Sequence, residues 1–280
     1  LGASFRVMPS FNKVVGGLQH LKFSLPAILL VEKEFNILSV KQKRFSKKQM
    51  NLSFRNNLEI YNLSYGYQQD GKKVLKNINL KIKFGERVGF IGESGAGKTS
   101  LINLIMGLLS PSDGEIKVDG NNIKQNIFYW QNMIGFVPQN IYLTDDTLLN
   151  NIAFGEEKEN IDMRKVNNAI DAANLRNLVS ELSLGVNTTV GERGVRLSGG
   201  QQQRIGIARA LYREPKVLIL DEATSSLDNK NEDSIIEDIK KLNDKVTIIM
   251  IAHRISTLNI CDNIYEITNN DNLLKKDNKL

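Results

Sequence analysis

Cysteine is nearly absent from this sequence, and so are the features of a secreted protein. Cys261 is the only cysteine among 280 residues, so no disulfide can form within the chain. No secretory signal is visible near the N-terminus. These absences favour a reducing, cytosolic setting, in which a lone thiol is typical of a small core residue.

Long apolar runs and a strong excess of one charge are also missing. By inspection, no stretch reaches the roughly 20 apolar residues that cross a bilayer, so we expect no complete membrane span in this chain. The net charge of +6 permits a membrane surface or nucleic acid as a neighbour but establishes neither. The chain starts with Leu1 instead of Met, which indicates a piece of a longer protein.

Residues 1–34 differ from the rest because they carry an apolar stripe at helical spacing. The stripe recurs at steps of three and four residues: Phe11, Val14, Leu18, Leu21, Leu25 and Ile28. We expect Pro9 and Pro26 to break or kink this helix locally. Since nothing nearby would bury the stripe, we interpret it as the cytoplasmic end of a transmembrane helix that packs in a bundle. An extra helix folded onto the following domain is the alternative.

The segments on either side of the central domain are polar. Residues 35–57 are predicted to be a linker, and residues 268–280 a flexible tail. The linker contains basic residues without any acid between positions 41 and 55: Lys41, Lys43, Arg44, Lys47, Lys48 and Arg55. Next to a membrane such a cluster would meet anionic head groups, and a solvated linker is the alternative.

The central part of the chain, residues 58–267, alternates predicted strands and helices. Apolar runs typical of buried parallel strands occupy residues 87–91, 216–220 and 246–251. Helical periodicity occupies residues 161–182 and 229–243. Alternation typical of half-buried antiparallel strands occupies residues 58–65, 74–82 and 114–120. This order predicts an α/β fold with a parallel core sheet and a subsidiary antiparallel sheet.

A glycine-rich loop lies between the run at 87–91 and a predicted helix. It matches G-x-x-x-x-G-K-[ST] in full: Gly92, Glu93, Ser94, Gly95, Ala96, Gly97, Lys98 and Thr99. The glycines let backbone N–H groups turn toward a triphosphate, and Lys98 adds a charge for the outer phosphates. The Thr99 hydroxyl is predicted to ligate Mg²⁺, and Ser100 belongs to the same predicted phosphate site. An ordinary glycine turn is the alternative, which the strand–loop–helix context disfavours.

The apolar run at 216–220 ends in two adjacent carboxylates. Asp221 is placed to hold Mg²⁺, directly or through water. Glu222 then lies near the γ-phosphate, where it would orient and deprotonate an attacking water. We therefore predict a catalytic role for Glu222 beside that of Lys98, with a solvated strand end as the alternative.

Five more motifs occur in a fixed order. They are Tyr67 after an apolar strand, Gln139 in the sequence GFVPQ, the sequence LSGGQ at 197–201, the sequence SSLD ending at Asp228, and His253 in the sequence IAHR. Together with the glycine-rich loop and the paired carboxylates, they resemble the nucleotide-binding domain of an ABC transporter. The resemblance covers most of the chain, and seven motifs in order leave little room for another family.

The resemblance implies a P-loop NTPase core with a mixed, mainly parallel sheet, an antiparallel β subdomain and a helical signature subdomain. It implies ATP and Mg²⁺ as ligands, with Tyr67 stacked on adenine, Gln139 touching Mg²⁺ and water, and His253 touching the γ-phosphate. It also implies a second copy of the domain, most simply a homodimer, with Asp228 at the interface. The signature residues would cap the partner's ATP: Ser198, Gly199, Gly200 and Gln201.

The resemblance also indicates an exporter fused to a transmembrane domain. Residues 188–194 are similar to an exporter loop that contacts that domain, although Thr189 stands where the family usually has an acid. Residues 5–10 and the helix after them are similar to the last transmembrane helix of bacterial lipid-linked oligosaccharide flippases. These similarities imply an ATPase at the cytoplasmic face of the inner membrane, with no nucleic-acid partner. Other lipids, drugs and peptides are alternative cargoes.

Two other classes of function are weighed against the exporter. A soluble ABC ATPase acting on DNA would separate the glycine-rich loop from the signature by a long coiled coil, which is missing here. A ribosome-associated member would usually carry two such domains. A regulatory domain that only binds nucleotide is disfavoured by the intact catalytic set: Lys98, Asp221, Glu222 and His253.

Overall fold

The computed structural model describes residues 2–45, 52–67, 73–191, 194–223, 229–242, 245–252, 254–268 and 273–276. They form two compact units, Leu1–Met50 and Asn51–Leu280. In chain order the helices and strands are α1 (Gly2–Phe45), β1 (Asn57–Tyr65), β2 (Leu75–Lys83), β3 (Arg87–Ile91), α2 (Lys98–Ile105), β4 (Asp113–Val118), β5 (Asn121–Asn122), α3 (Ile127–Asn132), β6 (Ile134–Val137), β7 (Asp146–Thr147), α4 (Leu148–Ile152), α5 (Met163–Ala172), α6 (Arg176–Glu181), β8 (Thr189–Val190), α7 (Gly199–Tyr212), β9 (Val217–Asp221), α8 (Asn229–Lys240), β10 (Thr247–Ile251), β11 (Asn263–Ile267) and β12 (Leu273–Lys276).

The N-terminal unit is the single helix α1, which is longer than the sequence predicts. It continues through Pro9 and Pro26 and past position 34 to Phe45, since no glycine or proline occurs between residues 35 and 45 to end it. Between Val7 and Phe35 most of its large apolar side chains are exposed, and Leu29, Leu30 and Val31 widen the stripe into a broader apolar surface.

The expectation that the chain holds no membrane-length segment is wrong for this helix. By length and composition alone, the 29 residues Val7–Phe35 suffice to cross a bilayer. The prediction failed because it required consecutive apolar residues, whereas the segment reaches a sufficient average with scattered polar residues.

The second unit is built on two main sheets. The larger has six strands in the order β12-β11-β3-β10-β9-β6, parallel throughout except for the antiparallel pair of β11 and β12. The smaller is antiparallel, in the order β2-β1-β4-β5, and a short ribbon pairs β7 with β8. This arrangement confirms the predicted α/β class with a mixed, mainly parallel sheet, an antiparallel sheet and a helical region.

Burial explains why the strands read as they do in the sequence. Every residue of β10 is buried, as expected for a central parallel strand, whereas β2 alternates buried and exposed residues. One apolar core lies between the large sheet and helices α5, α7 and α8. The other surrounds α2 between the two sheets. Cys261 lies in the first core, and burial raises the pKa of its thiol to about 12.

The boundaries of the central domain differ from the predicted 58–267 at both ends. Leu52 and Phe54 are buried in the second core, where the Phe54 ring meets Phe84 and Trp130 edge-on, so part of the predicted linker belongs to the domain. In the predicted tail, residues 273–276 form β12, because the backbone of β11 offers an open edge to pair with. The polar composition of the predicted tail gave no indication of this strand.

Candidate active site

The glycine-rich loop connects β3 to α2 at the edge of the large sheet where its parallel strands end. A Cβ on Gly92, whose φ is 155°, would collide with the carbonyl oxygen of Ile267. Gly97 has a φ of 99° and precedes the first residue of α2. Both positions require a conformation that glycine adopts without strain, so the loop curls tightly at the start of the helix.

Lys98 is folded inward at this loop. Its side chain is buried, with the residue 6% exposed, and Nζ donates hydrogen bonds to the carbonyl oxygens of Gly92 at 2.8 Å and Glu93 at 2.9 Å. Burying an ammonium group is costly unless it is paired, and these two carbonyls provide the pairing. A phosphate oxygen is a stronger partner than a carbonyl, so the same ammonium can exchange these bonds for a ligand.

The predicted adenine residue lies beside the start of α2. The Tyr67 hydroxyl is 2.9 Å from Oγ of the buried Ser100, and either atom can donate the hydrogen bond. The Tyr67 ring is 64% exposed and meets the Tyr65 ring edge-on, with centroids 5.1 Å apart. One face is therefore available to stack on a planar group near the loop.

Asp221 ends β9, which lies between β10 and β6 in the large sheet, and it is paired with Ile251 of β10. Burial raises the pKa of this carboxyl, the negative charge of Glu222 raises it further, and the positive charge of Lys98 opposes both. Asp221 and Lys98 therefore influence one another electrostatically, although they come from different elements.

Glu222 adopts a left-handed backbone conformation, with φ of 49°. Such a conformation costs a non-glycine residue on the order of 1 kcal/mol or more. Its backbone N–H donates to Ile251 at 3.1 Å, and its Oε2 accepts a hydrogen bond from Nε2 of Gln139 at 2.8 Å. Two residues that are 83 positions apart in the sequence thus meet beside Asp221.

The signature residues begin α7, which packs against α4, α5 and β6. Ser198 caps this helix: its hydroxyl accepts from the Gln201 backbone at 3.3 Å, and the Gln201 side chain accepts from the Ser198 backbone at 2.8 Å. Ser198 and Gly199 are exposed, and Gly200 is buried against Asn231 of α8. The first turn of α7 therefore presents backbone N–H groups at the surface of the domain.

The remaining predicted residues divide by their surroundings. Glu93, Ser94, Gly95 and Thr99 are exposed at the loop, and Ala96 is buried beneath it. Asp228 and His253 lie outside the described residues, as do Glu192 and Arg193 of the exporter-like loop. The structure thus groups Lys98, Gln139, Asp221 and Glu222 at one sheet edge, and the signature starts a separate helix.

The donor set at this edge fits a magnesium ion that shares its coordination with phosphate. The part of the chain that the structure describes has no cluster of three histidine, cysteine or carboxylate side chains that would enclose a metal. Thr99 supplies an exposed hydroxyl and Asp221 a carboxylate. These are hard oxygen ligands of the kind Mg²⁺ prefers, and it usually takes only one or two carboxylates besides phosphates and water.

Sequence reasoning missed a buried polar network behind the site. Asn151 is 0% exposed, and its side chain makes hydrogen bonds with Thr144, Asp146, Thr147 and Arg209. The bond to Arg209 joins residues 58 positions apart, and no local pattern in the sequence signals it. The other partners lie within seven positions of Asn151.

Comparison with known proteins agrees with this geometry. Residues 75–225 match the family model described as ABC transporter. The chain is 44% identical over 209 residues to an ATP-dependent lipid A-core flippase of Coxiella burnetii, covering 74% of this chain and 35% of that protein. It is 43% identical over 208 residues to ATP-binding cassette sub-family B member 5 of Mus musculus, covering 74% of this chain and 16% of that protein.

A solved structure is also similar. A bacterial Atm1-family ABC exporter with ATP bound superposes with a TM-score of 0.70 at 30% identity, covering 86% of this chain and 44% of that one. The chain spans about a third or less of the two curated relatives described above. The family is nevertheless shown: this chain belongs to the ABC transporter family and carries its ATP-hydrolysing domain.

Proposed function

We propose that this chain is the motor of a membrane exporter, in which ATP hydrolysis at the sheet edge drives movement of a substrate across the inner membrane from its cytoplasmic face. The observation that supports this proposal best is the convergence of Gln139, Asp221 and Glu222 beside the Lys98 loop. A site for binding alone needs no carboxylate aligned by an amide beside the phosphates.

Each residue has a role in the proposed reaction. Lys98 exchanges its two carbonyl partners for the β- and γ-phosphate oxygens, and the loop N–H groups bind the other oxygens. Tyr67 stacks on adenine. Thr99, Asp221 and Gln139 would hold Mg²⁺, which would neutralise charge on the phosphates.

Glu222 acts as the general base. It accepts the proton of a water that Gln139 orients, and the water oxygen attacks the γ-phosphorus as the bond to the β-phosphate oxygen breaks. His253, which follows β10 by two residues in the sequence, would contact the γ-phosphate. ADP and phosphate are the products.

The proposed partner is a second copy of the domain. The signature residues Ser198–Gln201 of one copy would cap the γ-phosphate held by Lys98 of the other, with Asp228 at the interface. Support comes from the exposed first turn of α7, whose N–H groups and dipole favour an anion. A C2 dimer then closes on two nucleotides and opens when the γ-phosphate is released.

The proposed membrane part includes α1, as the end of the last transmembrane helix of a fused domain. Its support is the exposed apolar surface of Val7–Phe35. The relatives named lipid A-core flippases favour a lipid cargo, including a lipid-linked oligosaccharide. Drugs and peptides are alternative cargoes. The comparisons name a lipid A-core flippase and an ABC exporter, which disfavours a soluble ATPase acting on nucleic acid or the ribosome.

Dimerisation driven by ATP is the test of this proposal. The Glu222→Gln variant of the full chain, in detergent with Mg-ATP, should dimerise in light scattering, because the nucleotide bridge forms and is not hydrolysed. The same variant with Mg-ADP should stay monomeric, and so should the double variant Lys98→Ala/Glu222→Gln with Mg-ATP. A chain that remains monomeric with Mg-ATP at every concentration would refute the proposed cycle.

A further inference from the structure

Gln139 has a role in the proposed reaction, and the residues between it and α4 have none. These residues form a connecting segment, 140–147, which lies against α7, the helix that Ser198 caps. Three separate contacts hold it there, and each involves a side chain with no role in nucleotide binding.

The first contact is apolar and leaves no free space. The Ile141 side chain covers Gly206 in the middle of α7, and a Cβ added to Gly206 would lie 2.8 Å from Cγ1 of Ile141. Real Cβ atoms do not approach other carbon atoms so closely, so a larger residue at 206 would displace the Ile141 side chain from its place on the helix.

The second contact is made by Arg209, one turn further along α7. Its Nη1 donates to the Tyr142 carbonyl at 3.0 Å, Nε donates to the Asn151 carbonyl at 2.8 Å, and Nη2 donates to Oδ1 of Asn151 at 3.1 Å. The Phe154 ring covers the guanidinium, with 5.0 Å from Cζ to the ring centroid. A planar fork with three acceptors in fixed directions thus joins Tyr142 of the segment and Asn151 of α4 to α7.

The third contact extends the second. The Asn151 amide donates to the Thr144 carbonyl at 3.0 Å and accepts from the Thr144 N–H at 3.0 Å. Through Asn151, Arg209 therefore reaches Thr144 as well as Tyr142. The segment is attached to α7 at Ile141, Tyr142 and Thr144, beginning two residues after Gln139.

Gln139, which directly precedes the segment, contacts the proposed general base Glu222. Gln139 donates to Glu222 at 2.8 Å, and the segment after it has little freedom to move without α7. A side-chain amide that must align a water within hydrogen-bond distance depends on its backbone to a fraction of an ångström. The position of Gln139 thus depends on α7, the same helix that begins with the signature residues.

From these contacts we propose that Arg209 is a positioning residue for Gln139, which fastens residues 140–147 to α7 so that Gln139 and Ser198 move as one unit. The inference rests on the proposed function, because it assigns Arg209 an effect on the reaction that Gln139 and Glu222 perform. Arg209 itself contacts neither nucleotide nor metal.

The test measures ATP hydrolysis by the full chain in detergent with three variants: Arg209→Lys, Gly206→Ala and Gln139→Ala. Arg209→Lys keeps the charge but loses the fork, and Gly206→Ala displaces the Ile141 side chain without removing a hydrogen bond. Each should lower kcat about tenfold and change the KM for Mg-ATP by less than about twofold. In the Gln139→Ala background, neither should lower kcat further, because the group they position is gone.

A matched control lies on the same helix. Arg213 follows the last residue of α7 and pairs with Glu156 at 3.0 Å, with its side chain 48% exposed. Arg213→Lys should leave kcat and KM at the parent values. A circular-dichroism melt of every variant corrects each rate for the folded fraction.

Three results would overturn the proposal. One is a tenfold loss that persists in the Gln139→Ala background, which marks independent effects. Another is a parent kcat, per folded molecule, in both Arg209→Lys and Gly206→Ala. The third is a parent kcat in Gln139→Ala, which leaves nothing to position. If Lys98→Ala hydrolyses ATP at the parent rate, the failure belongs instead to the proposed nucleotide site.

Discussion

Two polar regions of the central domain use hydrogen bonds in opposite ways. At the phosphate edge, defined by Lys98, Gln139, Asp221 and Glu222, the ammonium is bonded to loop carbonyls and the amide to the base. In the Asn151 network, defined by Asn151, Arg209 and Thr144, buried groups bond one another throughout. A ligand can replace the hydrogen-bond partners at the phosphate edge, but it cannot replace those in the Asn151 network.

The difference shows where this domain tolerates strain. Glu222 holds a left-handed backbone, and burial works against the charge of Asp221, so the phosphate edge carries unfavourable energy. In the Asn151 network burial lowers the pKa of Arg209, but the buried Asn151 amide is hydrogen-bonded on both its oxygen and its nitrogen. A variant at the edge should therefore change the reaction without weakening the fold, and a variant that removes a buried partner from the network should weaken the fold.

Removing the base gives the largest expected effect. Glu222→Gln should lower kcat about 10²- to 10⁴-fold, because general-base catalysis is lost. Its unfolding free energy in urea should stay within about 0.5 kcal/mol of the parent value, because the amide oxygen can still accept from Gln139. Hydrolysis at the parent rate would exclude Glu222 as the base. Glu237→Gln, on the exposed face of α8, is the control.

Removing the centre of the buried network should weaken the fold instead. Asn151→Ala should lower the unfolding free energy by about 3 kcal/mol, because Thr144 and Arg209 lose buried partners. Urea denaturation with and without Mg-ATP measures this loss, which should be the same in both conditions. Asn168→Ala, on the exposed face of α5, should change stability by no more than about 0.5 kcal/mol. A similar loss in the two variants would contradict the contrast.

Ser198 combines a structural role with a proposed functional one, because it caps α7 and is proposed to bind the partner's nucleotide. Ser198→Ala should cost about 1 kcal/mol of unfolding free energy, the usual worth of a serine cap. The exposed Ser180→Ala provides the comparison in a thermal melt. An unchanged stability would mean that the capping bonds of Ser198 contribute nothing to the fold.

Among these variants, Asp221→Asn should have the smallest effect on stability, and it should stabilise the fold instead of weakening it. Its pKa in the folded state is raised above the ordinary 3.8, so the unfolded chain releases this proton at lower pH than the folded chain. Stability from this group therefore declines as pH rises from the ordinary value through the raised one. Asp221→Asn should raise the melting temperature of the nucleotide-free chain at neutral pH.

The same variant should flatten the decline above the ordinary pKa of 3.8, measured by urea denaturation at several pH values. A variant less stable than the parent at neutral pH would show that the Asp221 charge stabilises the fold. Either result shows whether the charge of Asp221 at the phosphate edge lowers the stability of the fold.

Local chemistry explains what the sequence predicted correctly. The strands at Arg87–Ile91 and Thr247–Ile251 are continuous apolar runs, and the loop at Gly92 needs conformations that glycine favours. Such signals depend only on neighbouring residues. The fold class and the glycine-rich loop between β3 and α2 follow from them, and the roles of individual site residues stay predictions.

Interactions between distant residues explain what the sequence did not predict. The Gln139–Glu222 bond, the burial of Phe54 against Trp130 and the Arg209 fork all depend on where separate elements meet. The left-handed backbone of Glu222 is likewise imposed by the surrounding sheet, since its own residue type does not favour it.

The short strand β12 has a consequence for how the protein behaves in concentrated solution. Without it, β11 would present a row of open backbone groups to other molecules, a template for chain-to-chain sheet growth. β12 covers that border and ends in Lys275 and Lys276, whose like charges repel a second copy. A version cut after Thr268 should therefore precipitate at concentrations that the longer chain tolerates.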